Sequence, residues 1–281
     1  MTYKIRSMQN KYKLKYAILF ILITVMAFIA YSMLVEYNYE KLKSNILNTN
    51  DINKKILVEN SKEYPKIKQI LNNINLYPIS LVNLASNNIE AIDFVADYPK
   101  YTKKIVRGDI SVKEDYKKGE IPLFLQWDKR WGYDKYGDEF IAVNGCGPTS
   151  LAMVAVGLTG NTDINPKAVA NYSRKNGYLV NKVGTKWSIM IEGAKHFGIM
   201  GREISLSESI IISNLQNGHP IIASMGSGEF TSEGHFIVLS GISNDGKIIV
   251  NDSNSKIKSE KTWDIDVFMK ESKNLWAFDR I

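Results

Sequence analysis

The sequence predicts an α+β protein in which the helices come first and an antiparallel sheet comes last. Helices are predicted near residues 148–158, 165–176 and 186–197, and strands at 220–225, 235–242 and 247–252. Pro148 suits the first turn of the first helix. The last two strands are joined by Ser-Asn-Asp-Gly, which is a strong hairpin signal. A series of helices followed by neighbouring strands is typical of the α+β class.

An uncharged apolar segment of 20 residues, 16–35, lies before all of the predicted helices and strands. It is about as long as a helix that crosses a membrane of ~30 Å. Residues 1–15 carry five basic side chains and no acid, whereas Glu36 and Glu40 follow the segment. The positive-inside rule then predicts a cytoplasmic N-terminus and an extracytoplasmic remainder. Cleavage as a signal peptide near Ala30 and Ser32, followed by secretion, is the alternative, but the apolar run is longer than a usual signal core.

The net charge of +7 comes mainly from the N-terminal tail. Residues 121–281 carry equal numbers of basic and acidic side chains, so the high pI does not indicate nucleic-acid binding. An apolar fraction of 44% allows a sizeable core.

Residues 36–107 contain no glycine and place apolar side chains at helical spacing. Pro65, Pro78 and Pro99 punctuate this region as expected helix boundaries. We therefore predict three or four short helices that form a stalk or a small cap. A charged linker is expected at 108–120, and the main domain at 121–281.

Cys146 is the only cysteine, within Asn-Gly-Cys-Gly-Pro-Thr-Ser at the start of the first predicted helix of that domain. The helix dipole and unpaired backbone N–H groups at such a position stabilise a thiolate. Flanking glycines leave room for a substrate, and the N–H of Cys146 is placed to stabilise an oxyanion. An inert small residue at a tight turn, or half of an intermolecular bridge, would explain the cysteine without catalysis.

A thiolate nucleophile needs a base, usually a histidine that a third group orients. His235 opens one arm of the predicted hairpin and Asp252 ends the other, so both lie at the same open end. A simple register leaves them a few residues out of line, so a bulge or a longer loop is needed to bring them together. Ordinary strand-edge and turn roles are the alternatives.

The other two histidines, His196 and His219, are expected to be structural. No histidine pair has the spacing of metal ligands, and one cysteine cannot build a zinc ribbon. The sequence therefore predicts neither a metal nor a cofactor.

Four segments in this order resemble the C39-like peptidase family, a branch of the papain-like cysteine peptidases related to the bacteriocin-processing peptidase domain. They are IPLFLQWDKRWG, NGCGPTSLAMVAVGLTG, GHPIIASM and GHFIVLSGISNDGKIIVNDSNS. The resemblance covers about residues 120–281 and implies a papain-like fold with a helical half and a sheet half. It implies Cys146 as the nucleophile, His235 as the base, Asp252 as its orienting acid and Gln126 as an oxyanion donor.

The sequence departs from the family's pattern in two respects. Gln126 lies 20 residues before Cys146, so the intervening segment has to loop out and return. Trp127 and Trp131 in that segment either line the cleft or pack as ordinary large aromatics. The chain has no nucleotide-binding motif, so the leader processing of transporter-fused relatives does not carry over.

These observations predict a membrane-anchored extracytoplasmic hydrolase that cleaves peptide or amide bonds. Its substrate would be a peptide, a protein or the peptide of a cell wall, since a composition rich in Lys, Asn and Ile suits a Gram-positive type of bacterium. Acyl transfer to an amine would use the same residues, and an inactive anchored binding module is a third alternative. The oligomeric state is left open.

Overall fold

The computed structural model describes residues 2–101, 110–181 and 183–281. The chain forms two compact units, residues 1–75 and residues 76–281.

The first unit is helical. It contains α1 (Thr2–Leu47), α2 (Ile52–Asn60) and α3 (Lys66–Asn72), followed by a short 3-10 turn at Ile74–Leu76. The apolar segment 16–35 lies within α1, and its side chains are exposed. One stretch of the described chain, Lys13–Leu47, is long and apolar enough to cross a membrane.

The second unit starts with two further helices, α4 (Ile79–Asn87) and α5 (Ile92–Tyr101), with a 3-10 turn at Ile89–Ala91 between them. Pro65 and Pro78 immediately precede α3 and α4, as predicted. The expectation that Pro99 marks a boundary is wrong, because Pro99 lies inside α5. Proline removes one hydrogen bond near the end of this helix, and the buried side chains of its earlier turns still hold it in place.

Residues 76–101 group with the later residues, whereas composition places a boundary near 107. The rings of Phe94 and Tyr133 stack with centroids 4.0 Å apart, and the Tyr133 hydroxyl donates to the Phe94 carbonyl at 2.6 Å. Residues 108 and 109 of the predicted linker lie outside the described residues, but Val112 is fully buried in the core of this unit. Short amphipathic helices need a partner for their apolar face, and the later residues provide it.

A helical layer follows. After the two-residue strands β1 (Lys135–Tyr136) and β2 (Glu139–Phe140) it comprises α6 (Ile141–Asn144), α7 (Cys146–Thr159) and α8 (Pro166–Lys175). Helix α7 ends at Gly160, whose φ of +71° is the left-handed conformation that glycine adopts readily. Asn165 caps α8 by accepting from the Ala168 N–H at 3.0 Å.

The prediction of a helix near 186–197 is wrong. After the short hairpin β3 (Leu179–Val180) and β4 (Gly184–Thr185), this segment forms two 3-10 turns, Trp187–Met190 and Ala194–Phe197. Gly193 precedes the second turn, and Gly198 ends it with a φ of +76°. Glycine weakens a helix interior, so the apolar periodicity across this segment does not produce one helix.

The sheet has six antiparallel strands in the order β5-β10-β6-β7-β8-β9. They are β5 (Ile199–Ile204), β6 (Ile221–Met225), β7 (His235–Ile242), β8 (Ile248–Asp252), β9 (Thr262–Trp263) and β10 (Ser272–Arg280). The three predicted strands are β6, β7 and β8. The chain also contains α9 (Glu208–Gln216), α10 (Lys256–Ser259) and α11 (Ile265–Glu271).

The two faces of the sheet bury alternate side chains of the same strands. Val238 and Trp276 belong to the core that contains α7, whereas Ile237 and Ala277 belong to the core that contains Phe268 of α11. Helix α7 therefore packs on the sheet face next to β7, which brings the start of α7 near the start of β7.

Candidate active site

Cys146 is the first residue of α7 and is half-buried between two glycines. A Cβ atom on Gly147 would lie 2.6 Å from the Thr185 hydroxyl, and one on Gly145 would overlap the Ile141 carbonyl. Both glycines are therefore required by close neighbours in the fold. The sequence suggested that these glycines leave room for a substrate, whereas the structure gives close packing as the reason for them.

His235 and Asp252 meet at the open end of the β7–β8 hairpin. His235 Nε2 lies 2.6 Å from Asp252 Oδ1, and both side chains are buried. Asp252 pairs with Ile237, and the register shifts between Leu239 and Gly241. The irregularity that the sequence required is thus present, and Asp252 lies two ladder positions from His235 on the neighbouring strand.

Asp252 is held from the segment that follows it. Its Oδ1 also accepts from the Asn254 N–H at 2.8 Å, and its own N–H donates to the Ser259 hydroxyl at 2.9 Å. A buried carboxylate with this many partners keeps one orientation. It can therefore fix the ring of His235.

His235 lies close enough to Cys146 for its charge and its hydrogen-bonding groups to act on the thiol. Because Nε2 faces Asp252, Nδ1 is the ring nitrogen left for the sulfur. Burial opposes ionisation, but the hydrogen bond and positive charge of His235, with backbone hydrogen bonds from Phe236 and Gly147, lower the pKa of the Cys146 thiol below its usual value.

The pKa of His235 is shifted in the opposite direction. Burial disfavours the charged ring, but the charge and hydrogen bond of Asp252, with a smaller contribution from Cys146, raise the pKa to about 10. A lowered thiol pKa and a raised imidazole pKa favour the thiolate–imidazolium pair at neutral pH. This is the ionisation state in which a cysteine attacks a carbonyl.

Residues 118–279 match the Peptidase_C39 like family. The chain belongs to this family. The match confirms the resemblance that the sequence motifs indicated. No curated protein matches the chain. Membership indicates a cysteine peptidase-like domain, and the roles of individual residues remain predictions.

The C39-like domain positions α7 against β7 through Ser150, one helical turn after Cys146. The Ser150 hydroxyl donates to the Phe236 carbonyl at 3.2 Å, and Phe236 directly follows His235 on β7. Residues at i and i+4 share one face of a helix. Ser150 therefore ties the helix that begins at Cys146 to the strand that carries His235, a contact that sequence reasoning missed.

Gln126 is buried beside the segment that carries Asp252. Its backbone N–H donates to the Ser253 carbonyl at 2.7 Å, and its side-chain Oε1 accepts from the Ser253 hydroxyl at 3.3 Å. Its Nε2 donates to the Ala142 carbonyl at 2.8 Å and lies 3.4 Å from the Val143 carbonyl. The loop from 126 thus returns to the residues just before Cys146, as the long spacing required.

The two tryptophans of that loop have different surroundings. Trp131 is fully buried and donates to the Leu125 carbonyl at 2.9 Å, so it packs in the core. Trp127 is half-buried and donates to the carbonyl of Asn254 at 3.0 Å. Trp127 therefore supports the segment that holds Asp252.

The remaining histidines have structural partners in the C39-like domain. His196 stacks on Tyr172 with ring centroids 4.1 Å apart, and His219 pairs with Asp279. Neither contacts the Cys146–His235 pair among the contacts described. Within residues 2–101, 110–181 and 183–281, no group of three or more His, Cys, Asp or Glu side chains could hold a metal ion.

Proposed function

We propose that the chain is a membrane-anchored cysteine peptidase that hydrolyses peptide or amide bonds on the outer side of the membrane. The observation that carries this proposal is the buried His235–Asp252 hydrogen bond beside Cys146, whose thiol pKa His235 lowers. Three side chains from a helix start, a strand start and a strand end meet only in the folded chain. They supply a nucleophile, a base and an orienting acid.

In the first step the Cys146 thiolate adds to the scissile carbonyl carbon. The tetrahedral intermediate collapses as the C–N bond breaks, and His235 transfers its proton to the leaving amine. His235 then takes a proton from water, and the resulting hydroxide attacks the thioester. Cleavage of the C–S bond releases the acid and restores the thiolate–imidazolium pair. Asp252 keeps the ring in place and stabilises its positive charge.

The backbone N–H of Cys146 and one N–H of Gln126 would stabilise the oxyanion. One of the two amide hydrogens of Gln126 is used by the Ala142 carbonyl at 2.8 Å. The contact with Val143 is long at 3.4 Å, so a substrate oxygen would displace this carbonyl as the acceptor of the second hydrogen.

A papain-like arrangement fits the second unit. The nucleophile begins a buried helix of a helical half, and the base and acid lie on neighbouring antiparallel strands. Segment 16–35 would be the anchor, with residues 1–15 in the cytoplasm. Cell-wall peptide and exported proteins are the substrates that this location makes available.

The test is peptide cleavage by the purified full chain in detergent, with products read by mass spectrometry. Cys146→Ala is expected to abolish cleavage, and Gln126→Ala to lower kcat by about 10²–10³-fold. Intact cleavage by Cys146→Ala, together with no iodoacetamide labelling of the native protein, would refute the proposal. An added amine acceptor distinguishes hydrolysis from acyl transfer, because transfer yields an aminolysis product.

A further inference from the structure

A cavity of about 520 Å³ lies beside the candidate catalytic residues, within the second unit. Gln126 lines it, as do Asn144 and Asn254, which stand two residues before Cys146 and two after Asp252. This volume is typical of a site for a small ligand or a few side chains.

One wall of this cavity comes from α4, outside residues 118–279 that match the family. Ser80, Asn83 and Asn87 are the polar residues that this helix contributes. The matched family therefore does not define this part of the site.

The wall is attached firmly to the domain. Asn88 Nδ2 donates to the Asn254 carbonyl at 2.7 Å. The Glu90 carboxylate accepts from the Lys256 N–H at 2.8 Å and the Ile257 N–H at 3.1 Å, and also from the Ser255 hydroxyl. Charge-assisted hydrogen bonds of this kind are stronger than neutral ones. Helix α4 is thus a fixed wall of the cavity and not a detachable cap.

Two acids at the turn and second strand of the β1–β2 hairpin, Asp138 and Glu139, also line the cavity. No ion pair joins either carboxylate to another described residue. No Lys, Arg or His is among the described residues that line the cavity, and residue 182 lies outside them. Lys135 is close by, but its ammonium binds the Asp138 carbonyl oxygen at 3.0 Å and lies over the Phe140 ring.

We propose that this cavity binds a peptide segment carrying an ammonium group, close to the bond that Cys146 attacks. Asp138 and Glu139 would pair with the ammonium, and the amide side chains from α4 and from Asn254 would bind peptide N–H and C=O groups. The ammonium is either the side chain of lysine or another diamino acid, or a free amino terminus. This inference rests on the proposed peptidase activity.

The first experiment compares peptide pairs that differ only in lysine or norleucine near the cleaved bond, using the full chain. The wild type is expected to prefer lysine about tenfold in kcat/KM, and Asp138→Asn with Glu139→Gln to lower that ratio to about twofold. A matched control removes two exposed acids that do not line the cavity, Glu203→Gln with Asp266→Asn, and keeps the wild-type ratio. Peptides with free and acetylated amino termini separate the two sources of ammonium.

A second pair of variants tests the α4 wall. Asn87→Lys adds a cation at the last residue of α4, where the helix dipole tolerates it, and is expected to reduce the lysine preference at least threefold. Gln216→Lys, at the last residue of α9, adds the same charge elsewhere and leaves the ratio unchanged.

Failure of this proposal differs from failure of the peptidase proposal. The cavity assignment is overturned, with cleavage intact, if the wild type shows no preference for lysine. It is also overturned if both double variants lose the lysine preference equally. If the wild type cleaves no peptide, retention of the same lysine and norleucine peptides on Cys146→Ala protein is measured. Enrichment of lysine peptides that is lost in Asp138→Asn with Glu139→Gln supports the cavity, and equal retention overturns it.

Discussion

Cys146 is the proposed nucleophile, and its neighbours determine whether a buried thiol can carry a negative charge there. The imidazolium of His235 lowers the thiol pKa, and Asp252 raises the pKa of His235 to about 10. The ionisation of the sulfur therefore depends on a carboxylate that is not in contact with it. This dependence leads to a prediction about pH.

Asp252→Asn removes the negative charge that raises the His235 pKa. That pKa then falls, the ring is neutral at pH 7, and the Cys146 pKa rises because its cation is lost. We expect wild-type iodoacetamide labelling to be fast well below pH 9, its midpoint to move to higher pH in the variant, and peptide cleavage to fall about 100-fold. The measurement is labelling rate against pH by mass spectrometry, and an unchanged midpoint would contradict the electrostatic role of Asp252.

Ser150→Ala removes the hydrogen bond to the Phe236 carbonyl. We expect a loss of about 1 kcal/mol in stability and a lower kcat with little change in KM. Because this contact fixes Cys146 relative to His235, the midpoint of thiol labelling should rise as well.

The control for that variant is Ser61→Ala in the first unit, which removes a buried serine that donates to the Val58 carbonyl at 2.6 Å. Ser61 also accepts from the Tyr39 hydroxyl at 2.6 Å, so this control should lose at least as much stability, with no change in labelling. If Ser150→Ala also leaves the labelling midpoint unchanged, Ser150 is only structural.

At the scale of elements, the segment after β8 is held from two directions. Gln126 and Trp127 bind it from one loop, and Asn88 and Glu90 bind it from the turn before α5. Asp252 immediately precedes this segment, so the order of the segment affects the candidate site as well as stability.

Glu90→Ala leaves two backbone N–H groups at the start of α10 without their acceptor. We expect a loss of about 1–3 kcal/mol, seen as a lower melting temperature of the detergent-solubilised chain. Glu114→Ala, an exposed acid in the same unit, is the control and should change little. Equal melting temperatures for the two variants would show that the Glu90 contacts are not needed.

Comparing the predicted with the observed helices and strands shows which of them hydrophobic periodicity alone can predict. Helix α7 and strands β6, β7 and β8 match their predicted positions because each is a continuous apolar run. Residues 186–197 were expected to form one helix but form two 3-10 turns, since Gly193 interrupts the helical periodicity. Strand β10, which lies between β5 and β6, was not predicted because strand pairing over a long sequence separation leaves little local signal.

At the scale of the whole molecule, the single cysteine offers a direct test of topology. An impermeant thiol reagent applied to intact cells should label Cys146 when the second unit is extracytoplasmic, since the residue is partly exposed. Cys146→Ala protein gives the background, and a permeant reagent gives the total. Labelling that appears only with the permeant reagent would place the domain in the cytoplasm, and recovery in the membrane fraction at full size distinguishes an anchor from a cleaved signal.

Local composition and short motifs are enough to identify the apolar segment 16–35, the family and the four candidate residues. The catalytic roles of those residues remain predictions. Packing between distant parts of the chain is needed to show that residues 76–101 belong with the C39-like domain, that Ser150 links α7 to β7, and that α4 forms a wall beside the candidate site. These contacts join residues far apart in the chain, and burial and hydrogen bonding select them only once the elements have packed.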